Sequence, residues 1–342
     1  MIIRARAPLR ISFAGGGTDI APFRDTEGGC VLSTTVSRYA YGTLRPSGDG
    51  TIRIRSVDYG LALNYNVDDP LLYDGKLDLV KAAIMRLDGQ QSSGFELFLH
   101  SDAPPGSGLG ASSALVVAIV GLLKEFRNLP LTDHEVARIA CHIERQELRI
   151  PGGLQDQYAA TFGGFNYIEF LGDRVVVNPL RLSDDILNEL EHNLLLCYTG
   201  SSRVSAGIID DQVGRYREPK TIEQLRSLKR LTVQMRDVLL RRDFDSFGRV
   251  LNEEWTVKKQ LSPRISTPRT DDLYAAALRA GAIGGKMTGA GGGGYMLLYA
   301  PFDRKHEVAR RLTELGAVET DFTFTRRGLE TWRVPAQPPV DG

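Results

Sequence analysis

An α+β chain built as two successive domains is what the sequence predicts. The first half mixes short β-branched or aromatic runs with helical patterns, the second half turns to long amphipathic helices, and both halves carry glycine-rich segments at junctions between elements. A boundary near residue 185 gives domains of 1–185 and 186–342, with no low-complexity linker and no internal repeat.

Arg4 to Phe13, Cys30 to Leu44, Thr51 to Val57 and Phe95 to Ser101 are rich in β-branched or aromatic residues and in part alternate, which predicts strands. Between them Leu77, Val80, Ile84 and Leu87 recur at helical spacing. Ser112 to Phe126 is apolar nearly all round and predicts a buried helix. Thr132 and Glu135 form a capping box that opens a helix to Leu148, with Val136, Ile139, Ala140 and Ile143 along one stripe. Strands follow at Gly164 to Phe170, Arg174 to Asn178 and Asn193 to Tyr198. Helical patterns then cover Ile222 to Leu240, Phe244 to Lys259 and Asp271 to Ala280, the last closed by Gly281. A strand at Tyr295 to Ala300, a helix at Arg304 to Leu315 and a closing strand near Asp321 to Thr325 complete the chain.

With 42 basic and 42 acidic residues among 342, bulk electrostatics offers no hold on nucleic acid or an anionic membrane. Any phosphate recognition must be local. The longest apolar run, Ala114 to Leu123, is about half of what a bilayer requires, so no membrane partner is expected. Met1 to Gly17 is interrupted by Arg4, Arg6 and Arg10, unlike a secretion signal, and reads as mature cytoplasmic protein. Cys30, Cys141 and Cys197 lie far apart in apolar sequence, as buried thiols of a reducing compartment would, and no histidine stands at metal-ligand spacing from them.

Five segments carry candidate chemistry. Pro104 to Ala114, Pro-Pro-Gly-Ser-Gly-Leu-Gly-Ala-Ser-Ser-Ala, follows a strand and runs into the buried helix. Three Gly in five residues followed by two hydroxyls exceed the needs of a turn; inward-facing amides and a helix start suit a polyphosphate. It is not a Walker A loop, since no Lys follows, and Ala111 breaks the Gly-x-Gly-x-x-Gly dinucleotide pattern. Gly289 to Gly294, with five Gly in six residues before a strand, implies close backbone approach. Glu144 shares a helix side with Ala137, Ala140, Cys141 and Leu148, so it either pairs at the stripe edge with Arg138 or Arg145 or points into a site. Asp156, in Gly152-Gly153-Leu154-Gln155-Asp156-Gln157-Tyr158, reads more simply as a helix cap than as a catalytic acid. Thr18 and Asp19 follow Gly15, Gly16 and Gly17, where they suit either a polyol or an Asx turn capping Ile20 to Phe23.

In their order these pieces resemble the GHMP small-molecule kinases, the family of galactokinase, homoserine kinase and mevalonate kinase, over Arg4 to about Thr325. Leu-Arg-Ile-Ser-Phe-Ala-Gly-Gly-Gly-Thr-Asp and Gln-Asp-Gln-Tyr-Ala-Ala-Thr-Phe-Gly-Gly-Phe-Asn look most like the branch acting on D-glycero-D-manno-heptose 7-phosphate. The resemblance implies a two-domain GHMP-kinase-like fold, an N-terminal mixed sheet with helices followed by a C-terminal ferredoxin-like α/β sandwich. It implies ATP as donor, held by Pro105, Gly106, Ser107, Gly108, Leu109, Gly110, Ala111, Ser112 and Ser113, and Mg²⁺ on Ser112 and Glu144. Asp156 would act on the sugar hydroxyl beside Arg10, while Gly16, Gly17, Thr18, Asp19 and Gly153 would face the acceptor. Thr288 and Gly291 to Gly293 would brace the phosphate loop.

Galactokinases carry Glu and His before the Thr-Asp pair, where this chain has Gly16 and Gly17; the change weakens a galactose assignment and leaves room for a larger sugar. Lys76, Arg24, Arg38, Arg149 and Arg203 are the candidates for a distal phosphate. The implied reaction converts a heptose 7-phosphate to the 1,7-bisphosphate for a bacterial surface polysaccharide: capsule, S-layer or lipopolysaccharide. The rivals are a fucose or hexose 1-kinase and a catalytically silent sensor of sugar and nucleotide, and a homodimer is left open.

Overall fold

A computed structural model describes residues 1–88, 93–200 and 205–335. Two long strands, β1 (Ile2–Ala14) and β2 (Gly29–Pro46), form an antiparallel pair around the short helix α1 (Phe23–Thr26). Next come β3 (Thr51–Ser56), β4 (Leu61–Asn66), α2 (Asp78–Leu87) and β5 (Phe95–Ser101), with β3 parallel to β5. The helices α3 (Ala111–Arg127), α4 (Asp133–His142) and α5 (Gln155–Phe162) pack together, with α3 and α5 against β1 and β2, and β6 (Asn166–Leu171) and β7 (Arg174–Pro179) extend the sheet from β2. Helix α3 is buried nearly all round, from Ala114 through Leu123, as its composition requires.

The second half begins with α6 (Asp184–Asn193), β8 (Leu194–Tyr198) and α7 (Ser205–Gly214). Helices α8 (Pro219–Leu240), α9 (Phe244–Lys258) and α10 (Pro268–Arg279) lead to β9 (Gly284–Met287), β10 (Tyr295–Tyr299), α11 (Lys305–Glu314) and β11 (Val318–Glu319). The antiparallel sheet runs β11-β8-β10-β9, the strand order of a ferredoxin-like sandwich. Its core is continuous with that of the first half: Phe13 of β1 stacks on Phe165 and meets Phe247 of α9 edge-on at 5.3 Å.

The structure departs from the sequence expectations in four places. The helix expected to run from Thr132 to Leu148 keeps its capping box but widens into a π turn at Ile143–Glu147, whose first turn holds Glu144. Elements β4, α6, α7 and β9 were not anticipated; the glycines of β9 give no strand signal, whereas β4 alternates Leu61, Leu63 and Tyr65 with Ala62, Asn64 and Asn66, a period-two signal that went unread. The closing strand shrinks to β12 (Phe324–Thr325), which pairs with β2, and a further strand, β13 (Glu330–Val334), pairs along β1. The stretch after β11 therefore returns to the first sheet, so 186–342 is not one continuous structural unit.

Candidate active site

The phosphate loop joins β5 to α3. Gly106, Gly108 and Gly110 all have left-handed φ, of 76°, 85° and 75°. Position 108 also lacks room: a Cβ there would lie 2.6 Å from the Thr288 carbonyl oxygen. Gly110 is the N-cap of α3 and supplies no side-chain cap, so the first amides of that helix remain available where Gly110, Ala111, Ser112 and Ser113 line the cavity. Pro105, Gly106, Ser107 and Gly108 line it too, whereas Leu109 is buried, its carbonyl accepting from the Arg10 amide at 2.9 Å. The loop is braced by Thr288, Gly289, Gly294 and Tyr295, whose amide donates to the Ser107 carbonyl at 3.1 Å. Gly291 to Gly293 were expected in this role; Gly291 and Gly292 instead rest on Ile265.

Arg10 reaches this loop from β1. Its guanidinium is almost wholly buried and grips Asp156 with both forks, Nε to Oδ1 at 2.7 Å and Nη2 to Oδ2 at 2.8 Å. Its remaining Nη1 donates to the Gly108 carbonyl at 2.6 Å. Asp156 lies in the first turn of α5 but does not cap it, since the N-cap is Leu154. Its carboxylate stands instead at the start of α3, 3.3 Å from where a Gly110 Cβ would be.

Glu144 is buried among hydroxyls. Ser113 Oγ donates to Oε2 at 2.7 Å, Gln157 Nε2 donates to the same oxygen, and Ser112 Oγ lies 3.4 Å from Oε1. The edge ion pair is nearly absent: Arg145 comes only within 3.9 Å and spends its donors on the Gly153 and Ile150 carbonyls. Oε1 thus keeps an open valence toward the exposed Ser112 hydroxyl, and this pair suits a hard cation that completes its shell with phosphates and water. Ser113, grouped in the sequence with the nucleotide contacts, holds this carboxylate in place.

On the acceptor side Asp19 is fully buried and accepts from the Gly17 and Gln155 amides at 3.1 Å each and from Gln155 Nε2 at 3.2 Å. A Cβ at Gly153 would fall 1.9 Å from its Oδ2, so only glycine admits this approach. Gly16, Gly17, Asp19 and Gly153 line the cavity, while Thr18 turns away and ties Gly15 and Cys30. Lys76 is exposed and lines nothing in the cavity. Arg24 pairs with Asp25, Arg38 donates to the Asp321 carbonyl and Arg149 is exposed, none of them lining the cavity; Arg203 lies outside the described residues.

Besides Arg10 and Arg145, the cavity, of about 510 Å³, takes two cations from the second half. Lys258, at the end of α9, donates to the Gly289 carbonyl at 3.1 Å, and burial, with Lys286 nearby, pushes its ammonium down to about 8. Lys286, in β9, pairs with the buried Glu254 at 2.8 Å. Gln212 also lines the cavity and donates to the Tyr216 hydroxyl, which donates to the Gly17 carbonyl at 2.8 Å. Sequence reasoning missed all of these. A lysine inside the apolar, glycine-flanked run at β9 was the one available signal, because such a charge needs a buried partner.

Residues 78–164 match the GHMP kinases N terminal domain, and residues 235–318 match the GHMP kinases C terminal domain. The chain is 39% identical over 336 residues to a D-glycero-alpha-D-manno-heptose 7-phosphate kinase of Campylobacter jejuni, covering 97% of this chain and 99% of that protein. It superposes with a TM-score of 0.83 and 36% identity on a D-glycero-D-manno-heptose 1-phosphate kinase of Bacteroides thetaiotaomicron, over 98% of this chain and all of the other. A Lactococcus lactis galactokinase bound to galactose shares the fold, with a TM-score of 0.75 at 19% identity over 96% and 95% of the two chains.

Proposed function

This chain belongs to the GHMP kinases and is a sugar kinase, and on that footing we propose that it transfers the terminal phosphoryl group of ATP to the anomeric hydroxyl of D-glycero-D-manno-heptose 7-phosphate. The observation that carries the reading is the Arg10-clamped Asp156 carboxylate standing at the start of α3. Phosphoryl transfer asks mainly for positioning and for positive potential around the moving group. The loop from Gly106 to Gly110 and the first amides of α3 would hold the phosphates. Arg10, through Asp156 and the Gly108 carbonyl, fixes where acceptor and phosphate meet.

Asp156 would accept a hydrogen bond from the acceptor hydroxyl and take its proton as the new O–P bond forms and the bond to ADP breaks. Glu144 and Ser112 fit Mg²⁺, which would neutralise phosphate charge when bound. Asp19, set by Gln155 and Gly153, would orient the sugar's hydroxyls. The 1,7-bisphosphate would feed nucleotide-heptose synthesis for a surface polysaccharide.

Release of ADP over a panel of acceptors tests the assignment. Heptose 7-phosphate should be preferred by at least about tenfold in kcat/KM over heptose 1-phosphate, fucose and hexoses. Preference for the 1-phosphate or for an unphosphorylated sugar overturns it, and binding without ADP formation reveals a sensor.

A further inference from the structure

Three lysines among the described residues are buried: Lys81, Lys258 and Lys286. Lys81 contacts Asp74 and Asp78, and Lys286 pairs with Glu254. Lys258 has no carboxylate within 4.0 Å among the described residues, although its side chain is about as buried as the others. Among the described residues its ammonium donates to the Gly289 carbonyl alone. A buried charge without a counter-charge is costly unless something else supplies one.

The surroundings say what that would be. Around the point a Gly16 Cβ would occupy lie Lys258 Nζ at 2.9 Å, Gln155 Nε2 at 3.6 Å and Ser12 Oγ at 3.8 Å. All three residues line the cavity, and Ser12 Oγ is buried with no partner of its own. Gly16 is not in the left-handed region, so its glycine serves space and not conformation. A cation and two further polar groups therefore converge over the bare face of Gly16, on the wall of the cavity. Phosphate matches them, because it brings several acceptor oxygens and a negative charge in contact with the ammonium, on which Glu254 and Asp19 act only from beyond 4.0 Å.

We propose that Lys258, with Gln155 and Ser12 over Gly16, forms a phosphate-binding subsite whose counter-charge arrives with the ligand. The reading deepens the kinase assignment and rests on it for the identity of the ligands. Two sources share this chemistry. Gly289 packs on Gly108 of the phosphate loop, which brings the subsite near the nucleotide's terminal phosphate, and Gly16 belongs to the acceptor wall, which brings it near a phosphate on the sugar.

The test uses the full chain with Lys258→Met, which keeps length without charge, and Lys258→Gln, which keeps a donor for Gly289. Calorimetry with MgATP, MgADP, heptose 7-phosphate and unphosphorylated heptose reads binding, and unfolding temperature without ligand controls for a structural role. Both variants should lose about tenfold to a hundredfold in affinity for one phosphate ligand while unfolding no earlier than wild type. Loss for MgATP but not MgADP assigns the subsite to the transferred phosphate; loss for heptose 7-phosphate but not heptose assigns it to the acceptor. Affinities all within about twofold of wild type overturn the proposal, as does earlier unfolding with affinities intact, which marks Lys258 as a strut. If wild type turns over only unphosphorylated sugars, the acceptor assignment fails, and the MgATP arm still decides the role of Lys258.

Discussion

Asp156→Asn changes one atom at the centre of the site. The two Arg10–Asp156 contacts, at 2.7 and 2.8 Å, are charge-assisted, and Arg10 is almost wholly buried. The amide keeps the volume but can offer only one oxygen to a fork of two donors, so one donor meets an NH₂ group. The guanidinium then lacks its counter-charge, which should cost about 1–3 kcal/mol of stability. The larger effect falls on the reaction, because the amide neither takes the acceptor's proton nor orients its oxygen as a carboxylate does. Loss of such a group costs about 10²–10⁴-fold, so kcat should fall at least about a hundredfold. The phosphate contacts assigned to the loop and to α3 do not involve this carboxylate, so the MgATP dissociation constant should stay within about threefold. Coupled-enzyme ADP release measures the first and calorimetry the second. Near-normal turnover, or nucleotide affinity lost in step with turnover, refutes the reasoning.

Further outcomes follow from other parts of the site. Glu144→Gln keeps the shape of the Ser113 and Gln157 contacts but removes the charge facing Ser112, so the Mg²⁺ concentration for half-maximal rate should rise about tenfold or more; an unchanged Mg²⁺ requirement contradicts the metal assignment. Gly108→Ala adds a Cβ 2.6 Å from the Thr288 carbonyl at a φ of 85°, so chemical denaturation should show a loss of about 2 kcal/mol or more; wild-type stability contradicts the bracing contact. Lys258 sits at about 8 against an ordinary 10.5, so between those values the unfolded chain binds more protons and wild-type stability rises with pH relative to Lys258→Met. The advantage of Lys258→Met in unfolding free energy should therefore shrink by about 3 kcal/mol from about pH 7 to about pH 10.5; a pH-independent difference removes the burial argument.

Local chemistry was the legible part of this chain. The apolar run of α3 and the Thr132 capping box have causes within a few residues, and the structure reproduces them. The phosphate loop was legible for the same reason, since its glycines and the helix start adjoin in sequence. Directions across the fold were not. Helical spacing left Glu144 open between a stripe edge and a site, and only the packing of its π turn against the start of α3 shows it facing Ser112 and Ser113. Asp156 read as a cap because its partner, Arg10, lies 146 residues away. Lys258 and Lys286 gave little sign because their burial depends on strands and loops far along the chain. Thr18 was half legible: its polarity was clear, but its use in tying Gly15 to Cys30 depends on where β2 begins. β13 was missed because its place is an edge beside β1 at the other terminus.

Phosphorus NMR of the reaction with ATP and heptose 7-phosphate bears most directly on the whole scheme. A new resonance coupled to the anomeric proton should grow one for one with ADP, beside an intact 7-phosphate signal, and should be lost with Asp156→Asn. A new phosphate coupled to any other carbon, or ADP accompanied only by inorganic phosphate, would mean that Asp156 does not deliver the anomeric oxygen.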